Sequence, residues 1–392
     1  MIQVNMDKRA FAGLMIINAM LAFGNTFASS FNMVYLFKHF DMPMWSGPIY
    51  MGLGFFIAIF VSLWMSWKPH LDPRNAMLVG LTFLIVEYGL FITIDNGWVL
   101  AITVAVAFGL NYPLFWTPFN ILMAQMTDKS DRGVTYGAVF FVWPLATFFA
   151  PLLGGMVIGF ADYRLLFALG IAIIMATVVV VVAYRKYIPT DQVMKIRLGA
   201  LGRRNVVALL GEGGFEGVFW VDVVLVAYIF TQKEVDLGAL FSLFGLSAGI
   251  MAIILGKVSD KIQNRRLFVM ISALTSIPCV ILVAAAGSLN EYALANGLLE
   301  FASFILPVFI FAILTDKLEL AKNDSVIGRE FMLDIGRSSS IAVLILMLYL
   351  GVSPQQCFLL AIPFLLMGAL AYESKKGATV LPVGTGHSDQ LH

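Results

Sequence analysis

A chain of 392 residues with 60% hydrophobic and only 12% charged side chains carries about half the charge of an ordinary soluble domain, which excludes a soluble fold. Its formal net charge of +1 favours no acidic partner, and no Lys/Arg cluster is interleaved with aromatics, so a nucleic-acid surface is excluded too. Because one membrane span takes about 20 apolar residues, the length accommodates roughly a dozen helices joined by short connections, with the lipid bilayer as partner.

Hydropathy and turn signals predict spans at about 10–37, 44–66, 76–95, 98–125, 134–160, 164–185, 205–231, 237–256, 266–287, 291–315, 329–351 and 355–373. The expected fold is an all-α membrane protein with residues 1–187 as an N-terminal six-helix bundle, 188–204 as a linker and 205–374 as a C-terminal six-helix bundle. Residues 375–392, with Gly377, Pro382, Gly384 and Gly386, lack an apolar period and read as a disordered tail. Lys8 and Arg9 precede an apolar run too long for a secretory signal, so the run is read as the first helix.

Lys and Arg fall overwhelmingly on one side of the predicted spans. Arg185, Lys186, Lys195, Arg197, Arg203 and Arg204 flank or occupy the linker, and Arg329 is counted with the same side. The opposite side holds Lys38, Arg164 and Lys233, and Arg337 alone is left for a span. The positive-inside rule then places the linker and both termini in the cytoplasm of a cell carrying this multi-pass protein in its cell membrane.

In the first span Asn18, Asn25, Ser29 and Asn32 share one helical stripe and are expected to line a substrate cavity. Glu87 lies mid-span in the third as a lesser relay candidate. The fourth span adds Tyr112, Trp116 and Asn120 at steps of four, aromatics with polar edges that suit an organic solute.

The seventh span reads Gly211-Glu212-Gly213-Gly214-Phe215-Glu216-Gly217, with Trp220 and Asp222 beyond. A carboxylate at the centre of a membrane helix costs roughly 2.5–3.5 kcal/mol on insertion scales, and each interior glycine about 1 kcal/mol. Such a segment is the expected form of a discontinuous helix beside a polar cavity. Glu212 and Glu216, one turn apart, disfavour simultaneous ionisation, so proton exchange is expected there. On an ideal helix Asp222 points elsewhere. In the tenth span Glu300 follows Asn296 by one turn, giving Glu212, Glu216, Asp222 and Glu300 as the proton or cation coupling set and Trp220 and Asn296 as cavity residues. In the eleventh, Glu330, Asp334 and Arg337 share a stripe, and Asp334 and Arg337 form an expected structural i,i+3 ion pair. The acids of the spans thus face a single cation, an interior that favours protons and cationic or neutral solutes.

Between the eighth and ninth spans the chain reads Gly256-Lys257-Val258-Ser259-Asp260-Lys261-Ile262-Gln263-Asn264-Arg265-Arg266. This resembles the signature loop of the major facilitator superfamily: Gly, three residues, Asp, a basic residue, then a basic pair before the next helix. The loop's usual glycine is replaced by Gln263 or Asn264. The resemblance implies a cytoplasmic gate in which Gly256, Asp260, Lys261, Arg265 and Arg266 latch neighbouring helices. The matching first-half loop, Ser66 to Arg74, keeps Asp72 and Arg74 but loses the glycine pattern. Charged echoes at Asp128–Gly133 and Asp324–Glu330 support an internal repeat. Ala146–Gly155, with Pro151, is similar to the superfamily's antiporter motif.

The family resemblance implies a secondary active transporter of a small molecule, two pseudo-symmetric bundles rocking about a central site, working as a monomer. No Walker-type loop is present, which makes a proton gradient the economical energy source. Efflux of a drug-like organic cation or a metabolite is preferred over two alternatives, a divalent-metal transporter using carboxylate ligands and a non-transporting receptor or assembly factor of the same fold. His39, His70, His387 and His392 fall in loops or the tail, so no histidine metal site is expected in the membrane, and no cofactor. Cys279 and Cys357 lie inside spans, against a disulfide framework. An enzyme is disfavoured, since no zinc motif or Ser/His pairing occurs in the spans.

Overall fold

In lipid every backbone N–H and C=O of a spanning segment must be satisfied internally, and for isolated apolar runs only the helix does this. The computed structural model describes residues 8–68, 70–125, 132–190, 192–258, 264–317 and 322–371, and these are almost wholly helical. In chain order the helices are α1 (Arg9–Phe40), α2 (Met44–Trp67), α3 (Pro73–Thr93), α4 (Gly97–Gln125), α5 (Arg132–Phe160), α6 (Tyr163–Tyr187), α7 (Arg203–Phe230), α8 (Glu234–Val258), α9 (Arg265–Ala285), α10 (Leu289–Leu314), α11 (Lys322–Tyr349) and α12 (Pro354–Gly368). Eleven are long and apolar enough to cross a membrane; α12 is shorter than its predicted span. Large apolar side chains such as Phe56, Phe60, Val179 and Leu274 are more than half exposed, as a lipid-facing surface requires.

The helix starts are written locally. Asp72 caps α3 by accepting from the Arg74 N–H at 2.9 Å, with Pro73 at the first helical position. The Arg74 guanidinium also bonds both carboxylate oxygens, at 2.9 and 2.8 Å, and holds the Asp72 carboxyl below its ordinary range. Asp162, Ser288 and Ser353 cap α6, α10 and α12 in the same way. At the far end of α1, Asp41 takes a left-handed conformation (φ 48°) that stops the helix.

The two halves of the chain meet along α5 with α8 and α2 with α11. Small residues make the first seam: the Cβ position of Gly155 falls against the Glu234 carbonyl, and that of Gly238 against the Pro151 carbonyl. Gly154 faces α1 instead, at the Phe27 carbonyl. The antiporter-like segment therefore acts here as close helix packing on two sides.

On the face carrying the linker, residues 192–197 lie across both halves. Gln192 and Leu71 exchange backbone hydrogen bonds of 3.0 and 2.9 Å, Ser66 Oγ accepts from the Ile196 N–H at 3.0 Å, and Asp324 accepts from the Lys195 N–H at 2.8 Å. Arg197 pairs with Asp324 at 3.1 Å. Buried Met194 joins Met65, Leu114, Ile121, Phe311, Val326 and Ile327 in an apolar plug beneath this strap. At the opposite face Lys38 pairs with Glu234 at 2.5 Å and donates to the Gln232 carbonyl at 3.1 Å, while the Tyr163 hydroxyl donates to Glu234 at 2.9 Å. Phe37 packs on Tyr228 beside this pair.

Candidate functional site

Helix α7 runs unbroken from Arg203 to Phe230, which overturns the expected discontinuity at its glycines. Their role is steric. A Cβ at Gly213 would overlap the Leu333 carbonyl, one at Gly217 would meet the Arg337 main chain, and one at Gly336 would stand 2.5 Å from the Leu210 carbonyl. Gly211 and Gly214 give the same closeness to Phe364 of α12. Missing side chains let the helix backbones touch, the close approach by which membrane helices pack.

That approach drives the acids of α7 into the arginines of α11. Arg329 holds Glu212 at 2.5 Å and Glu330 at 2.7 Å. Two turns on, Arg337 holds Glu216 through Nη2 at 2.5 Å and Nε at 2.8 Å, and Asp334 through Nη1 at 2.9 Å. The Arg337 guanidinium carbon also lies 5.2 Å from the ring centres of Phe55 and Tyr112 and 5.0 Å from that of Trp220. Arg329 sits 5.1 Å over Phe311. Both arginines and Glu212, Glu330 and Asp334 are buried, and Glu216 is half-buried.

The expected single interior cation is thereby corrected: Arg329, read from its position as a loop residue, is a buried residue of α11 paired with Glu212 of α7 and with Glu330. The cluster still has two cations to four carboxylates. The Asp334–Arg337 pair is present, but its arginine is shared with Glu216 and stacked among three rings, so it is not closed on itself. Arg329, Phe55 and Phe311 escaped the sequence reading, and for the two phenylalanines no sequence signal existed. For Arg329 the signal was its spacing of eight from Arg337.

Other predicted residues divide between this cluster and separate places. Asn120 donates to Glu330 at 3.2 Å, a bond from α4 to α11, and Trp116 packs at a tilt against Tyr112 and Trp143. The α1 stripe turns elsewhere. Asn32 donates to Glu87 at 3.3 Å and Asn25 accepts from the Tyr88 hydroxyl at 3.2 Å, so both address α3. Asn18 is fully buried and Ser29 half-buried. Asp222 and Asn296 are completely buried with no hydrogen-bond partner among the described residues, beside a Tyr292 hydroxyl that donates to the Val223 carbonyl at 2.8 Å. Glu300 is half-buried on the stripe of Tyr292 and Asn296. Of the loop resembling the superfamily signature, Asp260, Lys261 and the Gly256 environment lie outside the described residues, as do Asp128 to Asp131 and residues 375–392; Arg265 donates to the Ala312 carbonyl at 3.3 Å. Among the described residues no group of three His, Cys, Asp or Glu is arranged to hold a metal ion.

The model of the Major Facilitator Superfamily matches residues 14–316. The chain belongs to the major facilitator superfamily. Solved structures of the superfamily share its fold: the human organic anion transporter MFSD10 (TETRAN) at a TM-score of 0.70 and 14% identity, covering 93% of this chain and 99% of that one. A POT family transporter in complex with a thioalcohol-conjugated peptide gives 0.70 at 12% identity over 92% and 94%. The E. coli fucose:proton symporter FucP gives 0.65 at 14% identity over 93% and 100%. No curated sequence matches the chain. The family makes it a multi-pass membrane transporter and not an enzyme.

Proposed function

We propose that this protein is a secondary active transporter that moves a small cationic or neutral solute by alternating access, coupled to protons, with the arginine–carboxylate cluster of α7 and α11 as its central site. The observation that carries this reading is the placement of Arg337. Its guanidinium is gripped by Trp220, Glu216 and Asp334 of the second half and by Phe55 and Tyr112 of the first. A group held by both halves is remade whenever they rock. The Asn120–Glu330 bond crosses the same divide.

The four-to-two excess of carboxylates supports cationic or neutral cargo over anionic. Acids suited to take up protons lie outside that cluster. Glu212 and Glu216 are tied to arginines, whereas Asp222 and Glu300 have no cationic partner among the described residues. We assign proton carriage to Asp222 and Glu300, and the linking of proton to solute to Glu216. The fold shared with a fucose:proton symporter agrees with this coupling.

The test is solute uptake into proteoliposomes under an imposed pH gradient. Accumulation is expected to follow the gradient in the unaltered protein and to be lost in Glu216→Gln. Accumulation indifferent to both the gradient and the substitution refutes the coupling.

A further inference from the structure

Arg337 occupies a receptor that is complete without it. Three aromatic faces from three helices converge on its guanidinium carbon at 5.0 to 5.2 Å, and two carboxylates take its N–H groups at opposite edges. Rings from α2, α4 and α7 closing on one buried cation, with acids at the rim, are the chemistry by which proteins recognise ammonium and guanidinium ligands. The ion pair of Arg337 with Glu216 is made without the rings, which add a second, independent mode of cation recognition.

We propose that Arg337 is a tethered stand-in for the cargo: the box of Phe55, Tyr112, Trp220 and Glu216 takes an organic cation of the alkylguanidinium or alkylammonium class, which enters by displacing the Arg337 head group. The inference rests on the transporter reading and names its substrate class. The exchange leaves each carboxylate with its own cation: one cation shared by Glu216 and Asp334 becomes two cations for two acids. An incoming cation pairs with Glu216, while Arg337 keeps Asp334, its neighbour one turn away on α11. The main chain of Arg337 stays pinned against Gly217, so only the flexible side chain moves. Because Phe55 and Tyr112 belong to the first half and Trp220 to the second, whatever cation fills the box bridges the halves. With Arg337 in place the unloaded protein keeps a filled centre in which Glu216 and Asp334 both have a cationic partner.

The probe is ethylguanidinium at low millimolar concentration, with ethylurea as its neutral counterpart, added to the purified full-length protein in nanodiscs. Arg337→Ala vacates the box. Ethylguanidinium, and not ethylurea, is expected to raise the melting temperature of this variant by several degrees and to alter its tryptophan fluorescence, with little effect on the unaltered protein. Adding Glu216→Gln is expected to abolish the response. Should Arg337→Ala not fold, Arg337→Lys retains the charge but not the planar fork, and is expected to bind the probe at least tenfold more tightly than the unaltered protein. Equal response of the unaltered protein and both variants, or a response that survives Glu216→Gln, overturns the proposal. Solute exchange in proteoliposomes separates the two readings: flux with no gain of guanidinium binding in the Arg337 variants defeats the stand-in and leaves the transporter, whereas gained binding without flux in any preparation supports the receptor and defeats transport.

Discussion

Gly213 of α7 packs against the main chain of Leu333 of α11, with the Leu333 carbonyl oxygen where a Cβ on residue 213 would stand. The obstacle is backbone, so no side chain can turn aside to relieve it. Gly213→Ala is therefore expected to push the helices apart, weaken both arginine clusters and destabilise the fold by about 1–3 kcal/mol, the usual cost of overpacking. Gly89→Ala on α3, where nothing lies within 4 Å of the added methyl, is expected to be neutral or to stabilise by up to about 1 kcal/mol through helix propensity. Melting temperatures of the two variants in the same detergent make the comparison, and equal values refute the packing argument.

Arg329 is the counter-charge for Glu212 and Glu330, both buried. Removing one partner of a buried pair leaves an uncompensated charge and costs about 3–5 kcal/mol, whereas replacing both partners is often close to neutral. Arg329→Met is expected to fall in that range, and Arg329→Met combined with Glu212→Gln to recover part of it. Recovery is incomplete because Glu330 stays behind, held among the described residues by Asn120 alone. Thermal unfolding of the single and double variants reads the cycle; simple additivity contradicts the pairing.

Asp222 offers the opposite case. It is fully buried, and neither carboxylate oxygen has a hydrogen-bond partner among the described residues. Burying such a group disfavours its charged form, so Asp222→Asn, which keeps the shape and removes the ionisable oxygen, is expected to leave stability unchanged or raised. In proteoliposomes the same variant is expected to lose accumulation driven by a pH gradient while retaining solute exchange. A destabilised variant that still accumulates solute assigns Asp222 a structural role.

Helix number and the acids of α7 and α11 were legible because lipid admits so few solutions: a run of fixed length must be helical, and a charge within it stands out. What sequence hid was the partner of each residue. Arg329 reads as a loop cation because it stands at a span's edge, and only Glu212 on another helix shows it to be interior. Gly213 and Gly217 read as a break because glycine weakens an isolated helix, yet their use depends on the backbone of Leu333 and Arg337. Asn25 and Asn32 show a shared face by their period, but period does not say which neighbour the face meets, and that neighbour is α3. The rings of Phe55 and Phe311 were indistinguishable from the many apolar residues that pack or face lipid.

The pair of Lys38 with Glu234 closes the face opposite the linker, joining the end of α1 to the start of α8. Partly exposed pairs contribute only about 0–1 kcal/mol to stability, so its loss is expected to spare the fold. Under the proposed alternating access its effect belongs to the equilibrium between states, since a transporter that rocks must break every contact joining its halves at one face. The pair's additional bonds, from Lys38 to the Gln232 carbonyl and from Tyr163 to Glu234, make the contact specific in geometry as well as charge. Lys38→Glu places two acids together and is expected to open this face; Lys38→Glu with Glu234→Lys restores opposite charges and is expected to close it again. A cysteine introduced at Ser242, buried in α8, in a background lacking Cys279 and Cys357, reports the change by its labelling rate with a water-soluble maleimide. The rate is expected to rise severalfold in the single variant and to return toward the parent value in the swap. Labelling that the swap leaves as fast as the single variant shows that the contact does not hold the face shut.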